Sequence, residues 1–156
     1  MGKVQILAVL TMDGCLSSEL YDKAHQDLCL DRCGLDEIRE KALYHVTPDY
    51  SISMLHEWRK DGTNIRYLAE ATPDTSDYIN GLLRMHAVDE IILYTVPFIA
   101  GTGRHFFKSA LPEQHWTLSS LKSYSNGVCR IIYILDKKSK IAKMCGKHTF
   151  LFSGIE

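Results

Sequence analysis

The residues best equipped for chemistry in this chain lie in two glycine-containing segments, each directly after an apolar run. Thr11-Met12-Asp13-Gly14 follows Val4–Leu10, and Val96-Pro97-Phe98-Ile99-Ala100-Gly101-Thr102-Gly103 closes the run Glu90–Val96. Short, almost wholly apolar runs suit strands covered on both faces. The carboxyl ends of such strands are where ligands bind in an α/β sheet, because side chains and free backbone amides converge there. Gly101 and Gly103 permit close backbone approach, although their spacing alone also reads as a plain turn. The chain has no GxSxG elbow, no HExxH, no Walker lysine loop and no GxGxxG between a first strand and helix. Those absences remove the familiar serine-hydrolase, zincin and P-loop readings.

Thiol and metal chemistry has weaker support. His25, Cys29 and Cys33 are spaced by four, so one continuous helix would carry them on one face. Zinc needs a fourth ligand, and neither a CxxC motif nor the pair Cys145 and His148 supplies a convincing one. The expectation is no metal, with the cysteines acting as small apolar residues on a buried face. Five cysteines without a secretory leader fit a reducing compartment. The run Val4–Leu10 is too short and badly flanked for a signal peptide, so a cytoplasmic location is expected.

The elements that position these segments can be read from periodicity. Ser17 or Ser18 caps a helix to about Cys29, with Leu20, Ala24 and Leu28 on one face. After Gly34, the residues Leu35, Ile38 and Ala42 predict a short helix, and Leu43–Thr47 a short strand. Ser51 caps a helix over Ile52–Lys60, which Gly62 stops. Ile65–Glu70 reads as a strand, Thr75–Ala87 as a helix and Glu90–Val96 as a second buried strand. This alternation argues for a sheet with parallel neighbours, in which Val4–Leu10, Ile65–Glu70 and Glu90–Val96 are central. His115–Tyr124 and Val128–Leu135 flank Ser125-Asn126-Gly127, a hairpin signal in which Asn and Gly both tolerate positive φ. Lys137–Lys143 reads as a solvated basic face, and Thr149–Phe152 as a last strand or a segment packed on a partner.

The whole is 156 residues and 17.7 kDa, with 46% apolar and 24% charged residues, which bounds it to one soluble globular domain. With 18 basic and 19 acidic side chains the formal charge is −1, so no global field draws nucleic acid or an anionic membrane. No apolar run approaches the roughly 20 residues of a membrane span. A small-molecule ligand is the expected partner.

Four patterns in order resemble one family. Thr11-Met12-Asp13-Gly14 matches a first strand ending in Ser-x-Asp-Gly. Glu70-Ala71-Thr72-Pro73 matches a later strand ending in Glu-Gly-Gly or Glu-Ala-Gly-Pro. Leu82-Leu83-Arg84-Met85-His86-Ala87-Val88-Asp89-Glu90-Ile91 follows a Leu-Leu-x-x-x-x-Val-Asp-Glu-Leu pattern. Val96-Pro97, Gly101, Gly103 and Phe107 follow an Ala-Pro-x-x-x-Gly-x-Gly-x-x-x-Phe pattern. On these residues the chain resembles the dihydrofolate reductase-like family, closest to the reductase domain of the bifunctional riboflavin-biosynthesis deaminase-reductase and its small stand-alone relatives. The match covers residues 3–14 and 50–135 and leaves 15–49 unaligned.

The resemblance implies a three-layer α/β fold, a mixed sheet with central parallel strands and a C-terminal antiparallel hairpin. It implies one domain over 1–156, with a shortened first half and a tail over 137–156, and commonly a homodimer. It also implies NADPH-dependent reduction of a pyrimidine- or pterin-like substrate. Asp13 and Glu70 then fall at the catalytic positions, orienting the substrate or the reactive ring. Val9 falls against the nicotinamide amide, Thr72, Pro73 and Asp74 at a helix start facing the cofactor phosphates, and Gly14, Gly101 and Gly103 in the neighbouring loops. Thr72 stands where the pattern has glycine, and Asp74 brings a negative charge to the phosphate end. With the short first half, these departures keep a second reading open: a non-catalytic homologue that binds another ligand or only itself.

Overall fold

The computed structural model describes residues 2–17, 30–60 and 64–136. Their order is β1 (Lys3–Leu10), a 3-10 turn (Leu30–Cys33), α1 (Leu35–Lys41), β2 (Tyr44–His45), α2 (Ile52–Lys60), β3 (Arg66–Glu70), α3 (Ser76–Arg84), β4 (Glu90–Thr95), β5 (Trp116–Ser123) and β6 (Cys129–Leu135). The helix expected between Ser17 and Cys29, the stop at Gly62, the basic stretch 137–143 and the segment 149–152 lie outside the described residues. So do His25, Cys29, Cys145 and His148.

The six strands run β2-β3-β1-β4-β6-β5 in one sheet. β2, β3, β1 and β4 are parallel, and β6 and β5 return antiparallel. The three apolar runs are therefore adjacent and internal, as their composition requires. On one face α2 and α3 pack Leu55, Ile79, Leu82 and Leu83 against Val4, Ile6, Ala8 and Ile91. On the other, Leu30, Cys33 and Leu35 pack against Leu7, Leu68, Ile92 and Tyr94. This is the three-layer dihydrofolate reductase-like arrangement with its C-terminal antiparallel hairpin.

Local signals explain the element ends. Ser51 Oγ accepts from the Met54 amide at 3.0 Å and caps α2. α3 ends where His86 takes a positive φ of 56° and the Ala87 amide returns to Leu82. Asp89, singled out within the Val-Asp-Glu pattern, is a structural staple. Its carboxylate accepts from the Val4 amide at 2.9 Å and lies 3.6 Å from Arg59 Nε, while its own carbonyl accepts from Leu135. The far end of the sheet is thus tied together, away from the strand ends that carry chemistry.

The hairpin differs from expectation in one detail. Only Gly127, at φ 88°, enters the left-handed region; Asn126 does not. The Gly127 amide donates to the Tyr124 carbonyl at 3.0 Å and the Tyr124 amide to that of Val128 at 2.9 Å. The connection is a three-residue loop, a turn followed by a left-handed glycine, rather than a two-residue Asn-Gly turn. A Cβ at Gly127 would sit 3.1 Å from the Pro97 ring, so glycine also lets the hairpin tip close on the loop after β4.

Candidate functional site

β1 outruns β3. Their pairing stops at Leu7 opposite Glu70, with one further bond from the Ala71 amide to the Leu7 carbonyl at 2.8 Å. Successive strand residues direct their backbone groups to opposite neighbours. Leu7 faces β3 and Leu10 faces β4, where it accepts from Val96 at 2.9 Å. Val9 therefore faces the β3 side, beyond the last rung, and no described backbone group pairs with its N–H or C=O there. This open rung is a donor–acceptor pair at the centre of the sheet, where buried backbone groups are otherwise satisfied.

Beside it, the loops after β1 and β4 are stitched into one unit. Met12 donates to Phe98 O at 2.9 Å, Leu16 to Arg104 O at 2.9 Å and Phe106 to Gly14 O at 3.1 Å. Asp13 is the charged clasp. Its carboxylate accepts from the Thr11 hydroxyl and from the amides of Ala100 at 3.1 Å and Gly101 at 3.0 Å. The Thr11 hydroxyl, then the two amides, hold the Asp13 carboxyl well below the usual carboxylate range. Gly14, Gly101 and Gly103 all take positive φ, at 81°, 74° and 139°. The structure thus brings Asp13, Gly14, Gly101 and Gly103 together.

Glu70 ends β3 on the other flank of β1. Arg39 of α1 reaches it with Nε at 3.0 Å and Nη2 at 2.8 Å, both on Oε1. No contact joins Glu70 to Asp13 among the described residues. Past Glu70 the chain enters α3 through a threonine knot. The Thr72 amide donates to Thr75 Oγ1 at 2.8 Å, the Thr75 amide to Thr72 Oγ1 at 3.2 Å, and Thr75 Oγ1 to Glu70 O at 2.7 Å. Pro73 has no N–H. The helix entrance therefore keeps two of its amides for its own hydroxyls, and exposed Asp74 adds a carboxylate.

Apart from Val9 itself, the residues around its rung escaped sequence reasoning. Val9, Tyr94, Arg130 and Lys122 occupy one rung across β1, β4, β6 and β5, so their side chains share a face. The Tyr94 and Tyr124 hydroxyls both donate to the Cys33 carbonyl at 2.8 Å. Burial pushes the Tyr94 phenol up to about 12, with the neighbouring Arg130 acting against it. Buried Cys15 lies with Sγ 3.6 Å from His105 Nδ1, joining the two stitched loops once more. None of these contacts has a sequence signature, because each joins segments far apart in the chain. Arg39 was detectable only as one charge on a short helix.

The sheet also bears an open apolar hollow of about 310 Å³ lined by Ile91, Leu93, Phe107, Trp116 and Tyr133. It lies on the opposite face from Val9 and Tyr94, so it is separate from the strand-end site.

No family model matches the chain, and no curated protein matches its sequence. Solved structures match its shape. A Shewanella sp. PV-4 protein provisionally ascribed to riboflavin biosynthesis superposes with a TM-score of 0.52 at 12% identity, over 86% of this chain and 99% of that one. Two forms of Acinetobacter baumannii RibD give TM-scores of 0.52 and 0.53, each at 10% identity, over 88% and 87% of this chain. The chain spans 59% and 58% of those two proteins. At such identities the likeness is one of fold.

Proposed function

We propose that this protein is a reductase of the dihydrofolate reductase-like type. In this reading it takes NADPH across the carboxyl ends of β1, β3 and β4, and a pyrimidine- or pterin-like small molecule beside it. The observation that carries the reading is the open rung at Val9. A primary carboxamide such as that of nicotinamide offers one donor group and one acceptor, which matches an unpaired backbone C=O and N–H. The fold shared with riboflavin-biosynthesis proteins supports the same placement.

When bound, the cofactor supplies the hydride, and the protein supplies binding, orientation and exclusion of water. Val9 holds the carboxamide through its backbone. Asp13 acts by clasping the two loops, which keeps the Gly101 amide and the turns at Gly14 and Gly103 in place around the site. Its strongly favoured ionised form makes it a positioning group rather than a proton donor near neutral pH. Glu70, fixed by Arg39, orients the substrate ring. The carboxamide end of NADPH fits the residues present. The phosphate end fits less well, since Thr72, Pro73 and Asp74 offer few amides and a negative charge.

That last observation favours a second reading, a non-catalytic homologue whose open rung takes a different amide-bearing ligand. Titration of the full chain with NADPH, followed by cofactor fluorescence, separates the two. A saturable change at micromolar to submillimolar cofactor supports the reductase; no change at millimolar cofactor leaves the second reading. The reading also includes a cytoplasmic location, no nucleic-acid partner and a homodimer formed through β5. Among the described residues β5 is the last strand of the sheet, and Leu118 and Leu121 are exposed on it. An eight-residue edge strand with Leu118 and Leu121 exposed invites pairing. No helix among the described residues is long and apolar enough to cross a membrane.

A further inference from the structure

On the face that carries Val9 and Tyr94, the last two strands place two cations directly opposite each other. Lys122 of β5 pairs with Arg130 of β6 in the ladder. Like charges on opposed residues of an antiparallel pair repel and destabilise it. Nothing among the described residues relieves the repulsion, since no described carboxylate lies within ion-pairing distance of either side chain. Arg130 Nε is buried, and no described residue gives it a hydrogen-bond partner. A guanidinium N–H removed from water and left unpaired is costly.

The surroundings hold the guanidinium in place rather than neutralise it. Its Nη1 lies 3.2 Å from where a Cβ of Gly34 would stand, so the guanidinium packs closely over that glycine. Tyr94 and Tyr124 flank the same position, and their hydroxyls already donate to the Cys33 carbonyl. Lys122 Nζ lies 5.2 Å from the centre of the Tyr124 ring, which leaves the ammonium on the same side of the hairpin as Arg130. Burial holds the Tyr94 phenol in its neutral form, and among the described residues no carboxylate compensates the two positive charges.

We infer that Arg130 and Lys122 form a binding site for a doubly charged oxyanion, a phosphate or phosphate monoester. Two fixed cations on one rung match a dianion in charge, and an arginine fork matches its oxygens in shape. The ligand removes the cross-strand repulsion by neutralising the two cations. The site stands on β5 and β6 and is independent of the nicotinamide reading, which rests on β1.

The test is thermal unfolding of the full chain titrated with sodium phosphate and, separately, glycerol phosphate, against sodium chloride at matched ionic strength. The inference predicts a saturable rise in Tm of about 2–4 °C once the anion exceeds its Kd several-fold. The rise should be lost in Lys122→Met, an exposed position where folding is not at stake, and in Arg130→Met. Whichever anion acts at lower concentration tells free phosphate from a monoester. Saturable shifts of the Val9 amide under NADPH report the reductase reading and the phosphate-induced rise in Tm reports the anion site, so the failure of one is distinguishable from the failure of the other. No rise beyond that of chloride, or an equal rise in Lys122→Met, overturns the inference.

Discussion

Asp13 and Gly101, 88 residues apart in sequence, meet at 3.0 Å between carboxylate and amide. That bond, with those from Ala100 and Thr11, closes the loop after β1 onto the loop after β4. The folded state favours the ionised carboxyl, so its stabilising effect is fully present above the ordinary value of 3.8 and is lost as pH falls below it. Asp13→Asn should therefore be less stable than the parent by a constant margin from about pH 5 to 8. The margin should shrink on acidification below about pH 4, as measured by urea unfolding across pH. A margin independent of pH down to the acid limit would mean that the clasp does not act through its charge.

Gly127 couples the hairpin to the same region. Gly127→Val should destabilise the fold by about 1–3 kcal/mol through strain at positive φ, and its side chain would also press on the Pro97 ring. Chemical denaturation measures this directly, and an unchanged midpoint would contradict it.

The start of α3 gives distinct expectations for two neighbours. Asp74→Thr removes a carboxylate beside a helix N-terminus that should face cofactor phosphate. NADPH affinity should rise by about 2–5-fold, the scale of one charge near a helix end. Thr72→Gly should tighten binding further by freeing the backbone approach, but it also removes a hydroxyl that accepts from the Thr75 amide. It should cost about 0.5–2 kcal/mol of stability, as loss of a capping side chain does. Calorimetric titration and thermal melts of both variants separate the two effects.

The exposed edge strand predicts association. The β5–β6 register shifts between Leu118 and Ser120, and this bulge brings Leu121 onto the same face as Leu118. If β5 is the contact between copies, Leu121→Lys should lower the mass seen in sedimentation from dimer to monomer. A parent that sediments as a monomer at every concentration would remove the homodimer from the account.

Much of the sheet was legible because burial on both faces leaves a direct trace in composition. Val4–Leu10, Ile65–Glu70 and Glu90–Val96 had to be internal, and Ser51 and Gly127 marked an element start and a turn. The site was legible only where it is made of loops with their own signature, as at Asp13 and Gly101. Val9 was reachable only through resemblance, because an open rung depends on where β3 stops. The Val9, Tyr94, Arg130 and Lys122 rung was invisible, since its members come from four strands and only the register aligns them. The opposed roles of Thr72 were likewise hidden: its hydroxyl bond to the Thr75 amide is a matter of local geometry.

The central claim is that the open rung of β1 holds the nicotinamide carboxamide. Amide-detected NMR of the isotopically labelled full chain, titrated with NADPH, tests it residue by residue. The account predicts saturable shifts of the Val9 and Ala71 amides, with smaller ones at Gly14 and Gly101, at submillimolar cofactor. An unmoved Val9 amide at millimolar NADPH, or shifts confined to other surfaces, would contradict it.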